Sequence, residues 1–417
     1  MRVFKIMLIV LLLADAAHGA NLADLQKIAL QNRQVIQKYL VNLQKDEKDE
    51  AIAESAYYPS VDVGYTLNTL KDPSPFENRE NSVAYGAVSL NLFNGFKDKY
   101  NLRSARLLSK AQSYKLQGIK QDVQLNVALR YLAIFDRKAK LTVAQDRFNL
   151  LQKLYLDAEN RKKVGLIDKN ELLKFKVDLD DANITLKKDQ AELAKSVALL
   201  NREAESRVTV DELSLKEFTD LPHLDSPERY ETLMLKHRSE IKFLEETAQA
   251  AEVQVKAQRA LYYPKVDLVG SYRKNANDYL NDSTDVYNTQ ELRGQLMLSM
   301  NLFDGHGKSA RVDKAQLEVQ AIHHDLAELR RDLKTKLHNL FLDYQVSLEN
   351  TGVAQGGIEQ ADENLRITRI KYKEGLQTES DLLDAIANLS RAKYNYAAAS
   401  TAVFANYFQI IRMAEKF

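Results

Sequence analysis

Few residues in this chain have types and spacings that could do chemistry. No glycine-rich phosphate loop, nucleophile motif or zinc-ligand spacing occurs in its 417 residues. Of seven histidines, only His323 and His324 cluster. Neighbours on a helix point about 100° apart, so this pair reads as solvent-facing, and no metal site, cofactor or catalytic residue is expected. The informative groups are carboxylates in KYKEGLQTESDLLDA, residues 371–385. Thr378 and Asp381 have capping-box spacing, with Asp in place of the usual Glu or Gln, and Gly375 suits a left-handed helix C-cap. Asp168 and Glu171 form the equivalent pair in VGLIDKNELL, 164–173, so helix capping is the modest reading of both Asp381 and Glu171. Asp384 lies one turn beyond Asp381 on the same face, with no capping role left to fill.

The elements that must position these turns occur twice. ALQNR (29–33) matches MLKHR (234–238), and YYPSVDVGY (57–65) matches YYPKVDLVGSY (262–272), at an offset of 205. VSLNLFNG (88–95) then matches LSMNLFDG (298–305), and VGLIDKNELL matches EGLQTESDLL (374–383), at 210. Such repeats mean a quasi-symmetric architecture. The expected order is a first repeat over 21–203, with a β-hairpin at 59–93 and helices at 22–56, 96–164 and 168–203. An irregular connector over 204–227 carries Pro222 and Pro227. The second repeat, 228–417, has a hairpin at 264–303 and helices at 226–261, 308–374 and 378–415. The strands alternate with period two: Val61, Val63, Tyr65 and Leu67 against Asp62, Thr66 and Asn68, and Leu292 to Leu302 against Arg293, Gln295, Ser299 and Asn301. Ten-residue segments with unlike faces and polar tips fit outer-membrane barrel strands, although a half-buried soluble hairpin shows the same pattern. Four strands cannot close a barrel in lipid, so a membrane reading requires several chains.

Helix 168–203 carries one seven-spaced row through Leu172, Leu179, Leu186, Leu193 and Leu200, and a second through Val177, Ile184, Ala191 and Ala198. Rows five residues apart point about 140° from each other, which gives one helix two seams. The 69 residues from Phe96 to Val164 hold no proline. At a rise of about 1.5 Å each they would span roughly 100 Å, matching the two shorter helices of the same repeat end to end.

The totals narrow the class. Lys plus Arg is 59 against 58 for Asp plus Glu, so a nucleic-acid partner is not expected. MRVFKIMLIVLLLADAAHGA reads as a signal peptide over 1–20, because its apolar core is too short to span a bilayer. Export without a single cysteine leaves stability to packing and assembly.

The paired repeats, YYPxVD, NLFNG and NLFDG, and the two G-x-x-x-x-x-[DE]-L-L turns resemble the TolC-like outer membrane efflux proteins over essentially all of 21–417. The resemblance implies a mainly α fold with a transmembrane β portion. Three chains would form a twelve-stranded β-barrel continuous with a twelve-helix α-barrel tunnel, placed in the bacterial outer membrane with most of the chain in the periplasm. It implies a homotrimer in outer membrane lipid that exports drugs, metals or proteins with a periplasmic adaptor and an inner-membrane pump. Asp381 and Asp384 would line the narrow periplasmic end, where six carboxylates repel one another and attract cations. Glu171, Tyr372 and Gln377 would be aperture contacts, Gln377 standing where the family has an arginine. Val164, Gly165, Leu166, Glu374, Gly375 and Leu376 would be the tips that meet the adaptor. A periplasmic coiled-coil scaffold without channel activity is the alternative, with an exported enzyme further behind.

Overall fold

The computed structural model describes residues 20–73, 79–276, 279 and 290–417. The expected signal peptide and parts of both polar hairpin tips lie outside the described residues. The order is α1 (Leu22–Asn32), α2 (Gln34–Glu54), β1 (Ser60–Thr69), β2 (Glu80–Phe93), α3 (Lys97–Lys163), α4 (Lys169–Ala204), α5 (Pro227–His237), α6 (Ser239–Arg259), β3 (Lys265–Ala276), β4 (Gln290–Ser299), α7 (Gly307–Lys373) and α8 (Glu379–Met413). No described helix is long and apolar enough to cross a membrane.

Two features differ from the sequence expectation. Helices expected over 22–56 and 226–261 are each broken, at Arg33 and Arg238, where the backbone leaves helical geometry (ψ 122° and 121°). Neither glycine nor proline causes the break. Instead Arg33 Nη1 donates to Arg202 O at 3.3 Å and Nη2 to Glu203 Oε1 at 3.1 Å, at the end of α4, and Arg238 Nη1 donates to Arg412 O at the end of α8. Each arginine satisfies C-terminal carbonyls of a distant helix, and the two positions are 205 apart, as the matched pair ALQNR and MLKHR requires. Second, β4 ends at Ser299 although its repeat β2 runs to Phe93, so Met300 and Leu302 lie outside the sheet.

The compact units also cut across the repeats instead of following them. One contains 20–39, 117–239 and 330–417; the other contains 40–116 and 240–329. In the first, the connector folds inward: the ring of Phe218 lies 5.7 Å from that of Tyr131, 5.1 Å from Phe135 and 5.0 Å from Phe404. Arg412, 3% exposed by side chain, binds Asp122 and Glu415 at 2.7 Å each. The leucine row of α4 is buried at Leu179, Leu186, Leu193 and Leu200, whereas Val177, Ile184, Ala191 and Ala198 are all exposed. One seam of α4 is filled by its own chain and the other is bare.

The second unit holds an antiparallel sheet in the order β1-β2-β3-β4. Pro59 and Pro264 set its starts: each follows a one-turn 3-10 helix, and Tyr58 and Tyr263 ahead of them are extended, as a residue before proline must be. The returns to helix run through Gly95 (φ 69°) and Gly305 (φ 68°). At Gly95 a Cβ would come within 2.6 Å of Ala260 O and 2.7 Å of Tyr263 Cβ, so only glycine fits.

Candidate functional site

The registers bring the apolar alternation of all four strands onto one face. Val61 pairs with Val88, Val88 with Gly270 and Gly270 with Gly294; Leu90 pairs with Leu268 and Leu268 with Leu296. Directly paired residues share a face, so Val61, Val88, Leu268, Leu296 and Leu298 make one apolar surface. Nothing among the described residues covers it: Val63 is 84% exposed and Leu292 85%. The opposite face is polar and tied across strands, with Ser60 Oγ 2.7 Å from Ser89 Oγ and Asn91 Nδ2 donating to Asp267 Oδ1 at 2.8 Å. The outer edges of β1 and β4 pair with nothing among the described residues.

At its C-terminal turn α3 ends in a Schellman motif. Gly165 (φ 79°) donates to Lys162 O at 3.1 Å and Leu166 to Arg161 O at 2.9 Å. The α7 turn copies it, with Gly375 (φ 74°) bonded to Tyr372 O at 3.1 Å and Leu376 to Lys371 O at 2.8 Å. Both tips leave apolar side chains in the open, Val164, Leu166 and Leu376 among them, beside the exposed Glu374.

The carboxylates behind the tips divide by role. Asp381 completes a capping box: its Oδ2 accepts from Thr378 N at 2.9 Å and Oγ1 at 2.8 Å. Those bonds favour the ionised form and hold the Asp381 carboxyl below its usual range. Glu171 departs from the expected capping role. Asp168 alone caps α4, accepting from Glu171 N at 2.8 Å, and the Glu171 carboxylate instead accepts from Tyr372 Oη at 2.8 Å. Burial pushes the Tyr372 hydroxyl well above its ordinary range, and the bonded Glu171 charge pushes the same way. Phe175 packs on the Tyr372 ring at 6.2 Å, and Arg161 stands 5.7 Å over it. Gln377 lies nearby with its buried Oε1 making no hydrogen bond among the described residues.

Sequence reasoning passed over five charged residues here. Lys174 of α4 donates to Glu379 and, at 3.2 Å, to Ser380 Oγ of α8. Arg147 Nη2 reaches Asp178 Oδ1 at 3.4 Å and Asp181 Oδ2 at 3.6 Å. Burial raises the Asp178 carboxyl, Arg147 opposes this, and Asp181 and Asp384 add to it. A groove of about 390 Å³ between α4 and α8 is lined by Leu173, Lys174, Val177, Asp178, Ser380 and Asp384, among others. Lys174 was identifiable only as the repeat partner of Asp384. His323 and His324 are both exposed, His323 Nε2 lying 3.5 Å from Glu252, and no cluster that could hold a metal occurs among the described residues.

A sheet bare and apolar on one side and polar on the other is patterned as outer-membrane barrel strands are. Combined with paired helices about 100 Å long, it defines a channel protein of the outer membrane, with the helical part in the periplasm. Comparison with known proteins agrees. The family model described as outer membrane efflux protein matches residues 25–202 and 232–414, one segment per repeat. The chain therefore belongs to the outer membrane efflux protein family, whose members are channels and not enzymes. The alkaline protease secretion protein AprF of Pseudomonas aeruginosa is 24% identical over 174 residues, which span 40% of this chain and 36% of that relative. The outer membrane protein VceC of Vibrio cholerae superposes with a TM-score of 0.78 at 17% identity, covering 94% of this chain and 96% of that one. The CmeC outer membrane channel of Campylobacter jejuni gives 0.79 at 15% identity, covering 95% and 86%.

Proposed function

We propose that three copies of this chain form one passive export conduit. Twelve strands, four from each copy, line the passage through the outer membrane, and twelve helices enclose its periplasmic part. The observation that carries this reading is the open sheet, whose apolar face and two unpaired edges have no cover among the described residues of a single chain. In lipid an unpaired edge costs several kcal/mol per backbone group, so β4 must meet β1 of the next copy.

The β2–β3 seam supplies the register. Val88 opposite Gly270, Leu90 opposite Leu268 and Asn91 opposite Asp267 become, on adding 210 to the first and subtracting 205 from the second, Leu298 opposite Tyr65, Met300 opposite Val63 and Asn301 opposite Asp62. This register keeps the apolar residues on one face. It also gives strand partners to residues 300–303, which lack them in the single chain.

In this reading the Tyr372–Glu171 bond is a closed-state contact at the periplasmic end, where Asp381 and Asp384 contribute negative charge and Gln377 sits among them. The tips Val164–Leu166 and Glu374–Leu376 meet the helical hairpins of a periplasmic adaptor, which links the duct to an inner-membrane pump. The pump supplies the energy. Among drugs, metals and proteins as cargo, the likeness to a protease secretion protein favours protein. The test is conductance of the purified chain in planar bilayers with its oligomer mass measured alongside. Pores from a trimer support the duct; a soluble monomer without conductance refutes it. Loss of secreted proteins from the medium of a deletion strain, at unchanged drug and metal tolerance, would identify the cargo.

A further inference from the structure

We infer that Asp384 of one copy forms an ion pair with Lys169 of the next, a contact that fastens α8 to the neighbouring α4. The inference rests on the trimeric duct reading and adds an inter-chain latch to it. The aligned turns equate Lys169 with Glu379, Asn170 with Ser380, and Lys174 with Asp384, each 210 positions apart. Inside the chain, Lys174 of α4 holds Glu379 and Ser380 at the start of α8. When repeats alternate around a ring, this α4-to-α8 junction recurs between copies as an α8-to-α4 junction. Replacing each residue by its equivalent turns Lys174–Glu379 into Asp384–Lys169. Both charges reverse together, so attraction is preserved; reversal of one alone would have set like charges against each other. The accessory partner changes consistently too. The Ser380 hydroxyl accepts from Lys174, whereas the Asn170 amide can donate to the Asp384 carboxylate.

Exposure marks which of the two junctions is filled. Lys174 and Glu379 are partly buried, while Lys169, Asn170 and Asp384 are exposed. Leu383, on the filled side, is 8% exposed; its equivalent Leu173 is 49% exposed, and Val177 one turn further is 67% exposed. The bare heptad row of α4 continues from this point through Ile184, so the proposed pair sits at the head of an uncovered apolar seam. Within its own chain Asp384 shares a groove with Asp178 and with Lys174, whose ammonium is held by Glu379. Among the described residues Lys169 makes no ion pair, so the Lys169 of a second copy brings a cation that is not already engaged.

The chain has no cysteine, so introduced pairs are its only thiols. Full-length Lys169→Cys/Asp384→Cys protein, oxidised in outer membranes, should give covalent dimers and trimers that collapse on reduction. Lys174→Cys/Glu379→Cys should lose its thiols while staying at monomer mass under denaturation. Native trimers without any covalent ladder from the first pair would overturn the inference and leave the duct standing; failure of the unmodified chain to form trimers would remove the duct itself. Charge exchange gives a second reading. Lys169→Asp and Asp384→Lys should each raise open-channel events severalfold in bilayers, and the double exchange should return them toward the parent. An exchange that restores nothing would also overturn the pair.

Discussion

Tyr372 of α7 donates its hydroxyl to the Glu171 carboxylate of α4 at 2.8 Å, linking residues 201 apart in sequence and belonging to different repeats. The bond uses the carboxylate that local spacing would assign to a helix cap, and the cap is left to Asp168. A bond to a charged acceptor contributes about 1.5–3 kcal/mol. Tyr372→Phe, which keeps the ring against Phe175, should therefore shift a closed–open equilibrium by roughly 10- to 100-fold toward open. Single-channel recording checks this, and an unchanged open probability would show that the bond does not hold the channel closed.

Asp381 gives a pH dependence. Its folded-state pKa is depressed by the Thr378 bonds, so its contribution to the α8 start is present above the unfolded value, about 4, and is lost as pH falls through the lower folded value. Amide exchange at the first turn of α8 should accelerate below about pH 4 relative to the first turn of α2, which holds no acidic residue, beyond the intrinsic change. Asp381→Asn should abolish that difference.

Gly95 and Gly305 share a left-handed backbone but not their surroundings. Gly95→Ala should destabilise the chain by more than the roughly 1–2 kcal/mol of left-handed strain, because the methyl meets Ala260 and Tyr263. A Cβ at Gly305 meets nothing within 4 Å in the single chain. Its equivalent neighbours, Ser55 and Tyr58, belong to the next copy in the proposed trimer. Gly305→Ala should leave helical content near normal and reduce the yield of heat-resistant trimer, as circular dichroism and gel mobility would report.

The β4–β1 register predicts that Asp62→Cys/Asn301→Cys oxidises to covalent trimers and that Gly64→Cys/Asn301→Cys does so much less. A preference for the shifted pair would place the seam two residues away.

The tips separate assembly from coupling. Leu166 and Leu376 are 74% and 75% exposed, so Leu166→Asp with Leu376→Asp should cost little stability. Pore formation in bilayers should persist while export in cells and adaptor capture by crosslinking fall at least tenfold. Normal export would exclude these residues from the adaptor contact.

Much of the fold was legible because its signals are local. NLFNG and NLFDG announce the glycine returns, YYP announces the change from helix to strand, and period-two alternation marks the sheet face. The helix breaks at Arg33 and Arg238 were not legible from propensity, since an arginine is an ordinary helix former. They arise because each guanidinium reaches carbonyls at the end of a helix about 170 residues away. The repeat had nevertheless paired those two arginines, and that was the available signal.

The sequence by itself determined the duplication, the two faces of each strand, the two seams of α4 and the turns at both ends, because each depends on residues within a few positions of one another. Tertiary structure alone decided which seam the chain fills for itself, that Glu171 turns from its own helix end to Tyr372, and that Lys174 bridges to α8. Those choices depend on which helices pack side by side, and a charged side chain bonds to whichever opposite charge the packing brings within about 3 Å.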